Sequence, residues 1–200
     1  MNNFGLIAII LLISSCVEDE MNKTIFVADA TDVNLPAYSE RGFNSFGAQY
    51  ERRYFLSAND IVPCKITVQN GIMTFFLSGR MVTGYSSSGI REEMSLYFSF
   101  PVNETMNNYK DLMALHQQHF NLTDNSCKIK LVRDSRTEEI AILSGNLSFN
   151  RVQLLRINEQ EDRVVISGVF DLTFLRNDMP EAISKGRFDV GISNLFVLPD

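Results

Sequence analysis

The sequence predicts an all-β fold: a single antiparallel β-sandwich or open barrel of about nine to ten strands. Two observations carry this prediction. From Gln49 onward, short runs of β-branched and aromatic residues alternate with polar ones, and turn-forming residues interrupt them at the spacing of antiparallel sheets. The chain also holds 15 Phe and no Trp in 200 residues, a composition that fits a core layered from Phe, Leu, Ile and Val. So many strands in one flat sheet would leave awkward edges, so the sheet is expected to curl onto itself.

In chain order, the strand runs are 49–57, 65–69, 72–83, 92–100, 128–133, 138–149, 151–158, 163–175 and 186–192. Asn70-Gly71 separates the second and third, and this pair best tolerates the positive φ of a type I′ hairpin turn. In the fourth run Met94, Leu96, Phe98 and Phe100 share a face, opposite Ser95, Tyr97 and Ser99. Further on, Phe170, Leu172 and Phe174 alternate with Asp171 and Thr173, the pattern of a half-buried strand. The segments GYSSSG, RDSRTEE and INEQEDR read as polar hairpin connections. One short helix is expected near 107–119, capped by Asn107 or Asn108, with Tyr109, Leu112, Met113 and His116 on its inner face. No internal repeat is visible.

The N-terminal segment reads as an address. Leu6 to Ile13 is a continuous apolar run, long enough for the core of a secretion signal but far short of the ~20 residues of a spanning helix. Ile13-Ser14-Ser15-Cys16 follows, and this spacing resembles a bacterial lipobox, although no Lys or Arg precedes the run. An ordinary cleaved signal with an incidental cysteine is the alternative. The lipobox reading makes residues 1–15 a lipoprotein signal peptide and Cys16 the lipidated first residue, carrying acyl chains such as palmitate. Residues 16–45 are then a tether and irregular lead-in, and 46–200 a single all-β domain.

The net charge is -6 and is spread along the chain, which argues against a nucleic-acid partner, since such binders present a basic face. With Cys16 lipidated, Cys64 and Cys127 remain. They form either a disulfide or two separate buried thiols. His116 and His119 are the only histidines and would share a helix face, but no H-E-x-x-H motif and no third ligand accompany them, so no metal site is assigned. GYSSSG lacks the spacing of a serine-nucleophile elbow, and Asp29 to Asn34 lacks the glycine and distal Glu of a calcium loop. The acids at 92–93, 138–139 and 159–162 fall at strand ends, where a solvated rim is the simpler reading. No phosphate-cradling or dinucleotide motif is present, so no cofactor and no catalytic residue is assigned. Carbohydrate recognition leans on exposed aromatic rings. Tyr38, in the lead-in, and Tyr85, in the GYSSSG loop, are the first ligand-contact candidates, ahead of Tyr50, Tyr54, Tyr97 and Tyr109.

Arg41 to Pro63, with Asn44, Ser45, Phe46, Gly47 and Pro63 in place, resembles the N-terminal signature of small uncharacterised Bacteroidetes lipoproteins. The segments from Ser167 to Leu172 and from Gly186 to Val190 are similar to the late strands of that family. Tyr50-Glu51-Arg52-Arg53 departs from the family's usual Val-Asn-Gly turn. The resemblance implies an all-β lipoprotein without catalytic residues. It also implies that Glu18, Asp19 and Glu20 sort the protein to the cell surface, where acids otherwise only solvate a tether. The expected function is a lipid-anchored, non-enzymatic cell-envelope protein of the outer membrane. It would meet the membrane through its anchor and bind a glycan or an envelope-protein partner. A structural subunit exchanging terminal strands is one alternative. A hydrolase whose acids converge only in the fold is another.

Overall fold

The computed structural model describes residues 23–58, 63–82, 92–103, 106–133, 135–156, 162–193 and 196–197. Cys16, Glu18, Asp19, Glu20 and Tyr85 lie outside the described residues, as do the GYSSSG loop and most of INEQEDR.

The fold is all-β. Its strands are β1 (Ser45–Tyr50), β2 (Arg53–Leu56), β3 (Cys64–Gln69), β4 (Ile72–Val82), β5 (Glu92–Pro101), β6 (Gln118–Asn121), β7 (Lys128–Arg133), β8 (Arg136–Glu139), β9 (Ala141–Arg156), β10 (Asp162–Arg176), β11 (Met179–Ile192) and β12 (Phe196–Val197). They form one sheet in the order β6-β9-β10-β11-β1-β2-β4-β5-β7-β8, with β3 beside β4 and β12 laid parallel on β3. Every other pairing is antiparallel.

The sheet curls into a half-barrel whose interior is filled by phenylalanine. Phe75 on β4 reaches Phe149 on β9 at 5.4 Å and Phe188 on β11 at 4.9 Å. Phe98 on β5 meets Phe170 on β10 at 5.4 Å, so strands far apart in the sheet order touch through their rings. The alternation expected for β5 is observed, since Met94, Leu96, Phe98 and Phe100 are all buried and the residues between them are not.

Several boundaries differ from expectation, each for a local reason. The run 49–57 is two strands, because Glu51 takes a left-handed φ of 53° and turns the chain between Tyr50 and Arg53. Ala182 stabilises that corner: its N–H donates to Glu51 Oε1 at 2.6 Å, and its carbonyl accepts from Glu51 N–H at 3.0 Å. The runs 138–149 and 151–158 are largely one 16-residue strand, β9. The break at Asn150 is a β-bulge, where Ser167 pairs Arg151 and Gly168 pairs Phe149, and the extra residue shifts the inward phase from Phe149 to Val152. Asn70-Gly71 forms its expected tight turn, with φ of 51° and 69°.

The expected helix is a 3₁₀ helix, Tyr109–Leu115, with Asn108 as cap and Asp111 closing a capping box. Its three-residue repeat aligns Leu112 with Leu115 on the buried side, where an α-helix would have turned Met113 inward. Met113 is 40% exposed instead. His119 therefore belongs to β6 and not to a helix, and the two histidines do not share a helix face.

The described part of the lead-in, residues 23–44, carries no regular strand, yet it is packed against the domain. Ile25 N–H donates to Phe43 O, Asp29 N–H to Leu35 O and Ala37 N–H to Val27 O, folding residues 25–43 into an irregular hairpin. This strap lies on the outer face of β1, β10 and β11. Pro36 presses on Gly47 so closely that a Cβ there would come within 2.3 Å of Pro36 Cδ. The Asn44-Ser45-Phe46-Gly47 motif thus has a mechanical explanation. Asn44 turns the corner at φ 51° while its Oδ1 accepts from Gly191 N–H at 2.9 Å. Phe46 enters the core against Phe55 at 4.7 Å, and Gly47 leaves room for the strap.

Candidate functional site

The candidate site is a groove between this strap and β9. It encloses about 530 Å³ and is lined by Val27, Ala37, Tyr38, Ser39, Glu40, Arg41, Phe43, Arg151 and Gln153.

Its wall is held by a buried carboxylate. Asp189 on β11 is 2% exposed. Its Oδ1 accepts from Gly42 N–H at 2.8 Å and from the Ser167 hydroxyl at 2.8 Å, and its Oδ2 accepts from Arg41 and Phe43 N–H at 3.2 and 3.1 Å. Gly42, at φ 75°, lets three successive N–H groups converge on one anion. The backbone behind the groove is therefore fixed before any ligand arrives.

The polar lining is similarly ordered. Arg151 Nη1 donates to Glu40 Oε2 at 2.8 Å and Arg151 Nε to Gln153 Oε1 at 2.8 Å, while Gln153 Nε2 donates to the Glu40 carbonyl at 3.1 Å. The Tyr38 hydroxyl donates to Glu40 Oε1 at 3.2 Å. Burial raises the Tyr38 pKa; a hydrogen bond from Asn150 opposes the shift and the Glu40 charge adds to it. The Ser39 hydroxyl is shielded from solvent and has no hydrogen-bond partner among the described residues. Arginine and glutamine at alternate positions of β9 place both side chains on its outer face, so this half of the groove follows from strand periodicity.

The other residues singled out from the sequence fall elsewhere. Tyr50 is buried, the Tyr54 hydroxyl donates to Asp32, and Tyr97 packs on Phe76 with ring centres 4.6 Å apart. Cys64 and Cys127 are free thiols, and burial pushes the pKa of both upward. His116 Nδ1 accepts from Val152 N–H, and His119 Nδ1 shares a hydrogen bond with the Ser148 hydroxyl. The acids of the 29–34 loop are structural. Asp29 is held well below the usual carboxylate range, first by the hydroxyl and N–H of Thr31 and further by Arg187. Asp32 pairs with Lys185 at 3.1 Å. Among the described residues no group of three or more His, Cys, Asp or Glu is disposed to hold a metal ion, and no helix is long and apolar enough to cross a membrane.

Two of the strand-end acids, Glu92 and Glu138, stand in a second cluster at one end of the half-barrel, while residues 159–161 lie outside the described residues. Glu92 pairs with Arg53 at 3.1 Å and with Arg133, and Glu138 accepts from Arg176 Nε at 3.0 Å. The Arg176–Glu138 pair joins β10 to β8 across the open side of the curl. Arg176 also stands 3.9 Å from Glu181, which accepts from the Tyr50 hydroxyl. Each of these carboxylates is matched by a guanidinium, so the cluster closes the fold rather than presenting an acid and a base to a cleft.

The Tyr50 phenol is pushed up to about 12, first by burial and then by Glu181. An unfolded tyrosine titrates near about 10. The sign follows: this group's stabilisation is complete below pH ~10 and is lost as pH rises toward ~12, because the unfolded chain ionises first. Tyrosinate absorbance is expected to show a component near pH 12 that Tyr50→Phe removes, apart from the delayed titration of Tyr38, with thermal stability falling over the same interval. A component near pH 12 that persists when both Tyr50→Phe and Tyr38→Phe are made would assign it elsewhere.

Comparisons with protein-family models, with curated proteins and with solved structures each find no match.

Proposed function

We propose that the protein is a lipid-anchored, non-enzymatic module of the cell envelope that binds a glycan in the groove beside Tyr38. The observation that carries this reading is the groove's composition: an aromatic ring, 38% exposed, stands beside planar hydrogen-bonding side chains fixed by one another. Sugars are recognised by that combination, a ring against an apolar face and a few oriented polar groups for the hydroxyls. The groove contains a single carboxylate, Glu40, already paired with Arg151. A glycosidase would use two opposed acids.

Anchoring through Cys16, residence in the outer membrane and surface display through Glu18, Asp19 and Glu20 complete the proposal. They are supported by the lipobox spacing and by the resemblance to small Bacteroidetes lipoproteins. Such a protein would hold its domain in water at the end of a tether, with only acyl chains in the bilayer. An assembly subunit is supported by one feature, the short β12, which pairs in parallel with Thr67 and Val68 of β3 and is the kind of strand that exchange between copies uses. That reading calls for concentration-dependent association, which sedimentation measures.

A glycan array probed with the parent chain and with Tyr38→Ala tests the binding reading. The parent is expected to retain a restricted set of glycans, and Tyr38→Ala to bind them about tenfold more weakly while keeping its thermal stability. Retention of the same glycans by both proteins, or of none by the parent, overturns it.

A further inference from the structure

The groove's charges do not cancel. Two guanidinium groups, Arg41 and Arg151, line it against one carboxylate, Glu40. Arg151 is committed to Glu40 at 2.8 Å. Arg41 is exposed, and its side chain carries no ion pair among the described residues. A lone exposed arginine is ordinary on a protein surface, but the backbone of this one is clamped. The N–H groups of Arg41, Gly42 and Phe43 all donate to Asp189, so the guanidinium extends from a fixed point. Next to it in sequence and in the groove stand Glu40 and, two residues further back, the Tyr38 ring.

We propose that the groove selects an acidic glycan, one whose sugar units carry a carboxylate. This deepens the glycan-binding reading and rests on it. Arg41 receives the carboxylate through two parallel N–H···O bonds, a geometry a planar guanidinium matches and an ammonium does not. The Tyr38 ring packs against a sugar face, while Gln153 meets ring hydroxyls. Charge balance favours this ligand class over its competitors. One unpaired guanidinium matches the one carboxylate of a bound sugar unit, and the Tyr38 ring beside it offers that unit an apolar face. A neutral sugar would leave Arg41 with water alone.

Titration calorimetry of the full chain with tetragalacturonate and with neutral galactotetraose tests the inference, using the parent protein, Arg41→Gln and Tyr38→Ala. The parent is expected to bind the acidic oligosaccharide about tenfold more tightly than the neutral one, with the preference shrinking as salt is added. Arg41→Gln is expected to abolish the preference by weakening the acidic oligosaccharide about tenfold, with the melting temperature unchanged, because that side chain makes no ion pair among the described residues. Tyr38→Ala is expected to weaken both ligands alike. Equal parent affinities, or an unchanged preference in Arg41→Gln, overturns the acidic inference and leaves the groove as a site for neutral glycans. Binding of neither ligand also overturns it. The glycan array then decides separately whether the groove binds sugars at all.

Discussion

Phe149→Ala is expected to unfold about 4 kcal/mol more readily than the parent chain, the cost of removing a fully buried aromatic side chain and leaving part of its cavity unfilled. Phe149 has no exposed surface, and its ring lies 5.4 Å from Phe75, 6.0 Å from Phe100, 6.0 Å from Phe120 and 5.8 Å from Phe188. Those rings come from β4, β5, β6 and β11, so one side chain ties together strands from both ends of the sheet order. Its loss removes apolar burial and several edge-on ring contacts at the place where the curl closes on itself. Domains of this kind have only about 5–15 kcal/mol in total, so Phe149→Leu, expected to cost about 1.5 kcal/mol, is the companion variant if the alanine protein does not fold. Denaturant titration reads both through a shifted midpoint at unchanged slope. A loss below about 1 kcal/mol for Phe149→Ala would mean that the half-barrel is held by something other than this phenylalanine layer.

That layer was legible in the sequence because a strand repeats every two residues and each inward position must be apolar. Met94 to Phe100 and Phe170 to Phe174 satisfy this rule without interruption, and both are buried as it predicts. The rule fails where the backbone inserts a residue. At Asn150 the bulge changes which side faces in, so a single strand reads as two. At Glu51 the opposite happened: a non-glycine residue occupies a left-handed turn, and two strands read as one. The turn is supported by Ala182, more than a hundred residues away in the chain, and no local pattern could reveal that partner. The helix's three-residue repeat is not legible because Leu112 faces inward under either helical repeat, and only Leu115 and Met113 separate the two.

The site was legible only in part. Tyr38 could be named because an aromatic residue in a polar, irregular lead-in has no obvious core to join. Glu40, Arg41, Arg151 and Gln153 could not, since their meeting depends on the strap folding back over β9. Asp189 did leave a trace: in Phe188-Asp189-Val190 an acid stands between two apolar residues, on the face a free sheet would turn to water. A covering segment gives that position its meaning, and an irregular segment announces no such role.

Asp189→Ala should therefore act on the strap more than on the barrel. The carboxylate accepts four hydrogen bonds, three from backbone N–H groups and one from Ser167, at a position with 2% exposure. Removing it leaves those N–H donors facing a small void, a change expected to cost about 3–5 kcal/mol in the docked state. The lead-in has another way to respond, since undocking lets water take the orphaned donors while the phenylalanine core stays closed. Amide exchange is thus expected to accelerate across residues 24–43 while β4 and β5 remain protected, and the proposed glycan binding to fall with the strap's order. Asp189→Asn keeps the shape but offers only one accepting oxygen, so it should fall between parent and alanine. Ser167→Ala removes one donor and should cost only about 1 kcal/mol. If exchange in 24–43 is unchanged in Asp189→Ala, Asp189 does not hold the strap, and the groove's fixed wall has another source. If exchange accelerates equally in β4 and β5, strap and barrel unfold together, and Asp189 belongs to the global stability of the domain rather than to its site.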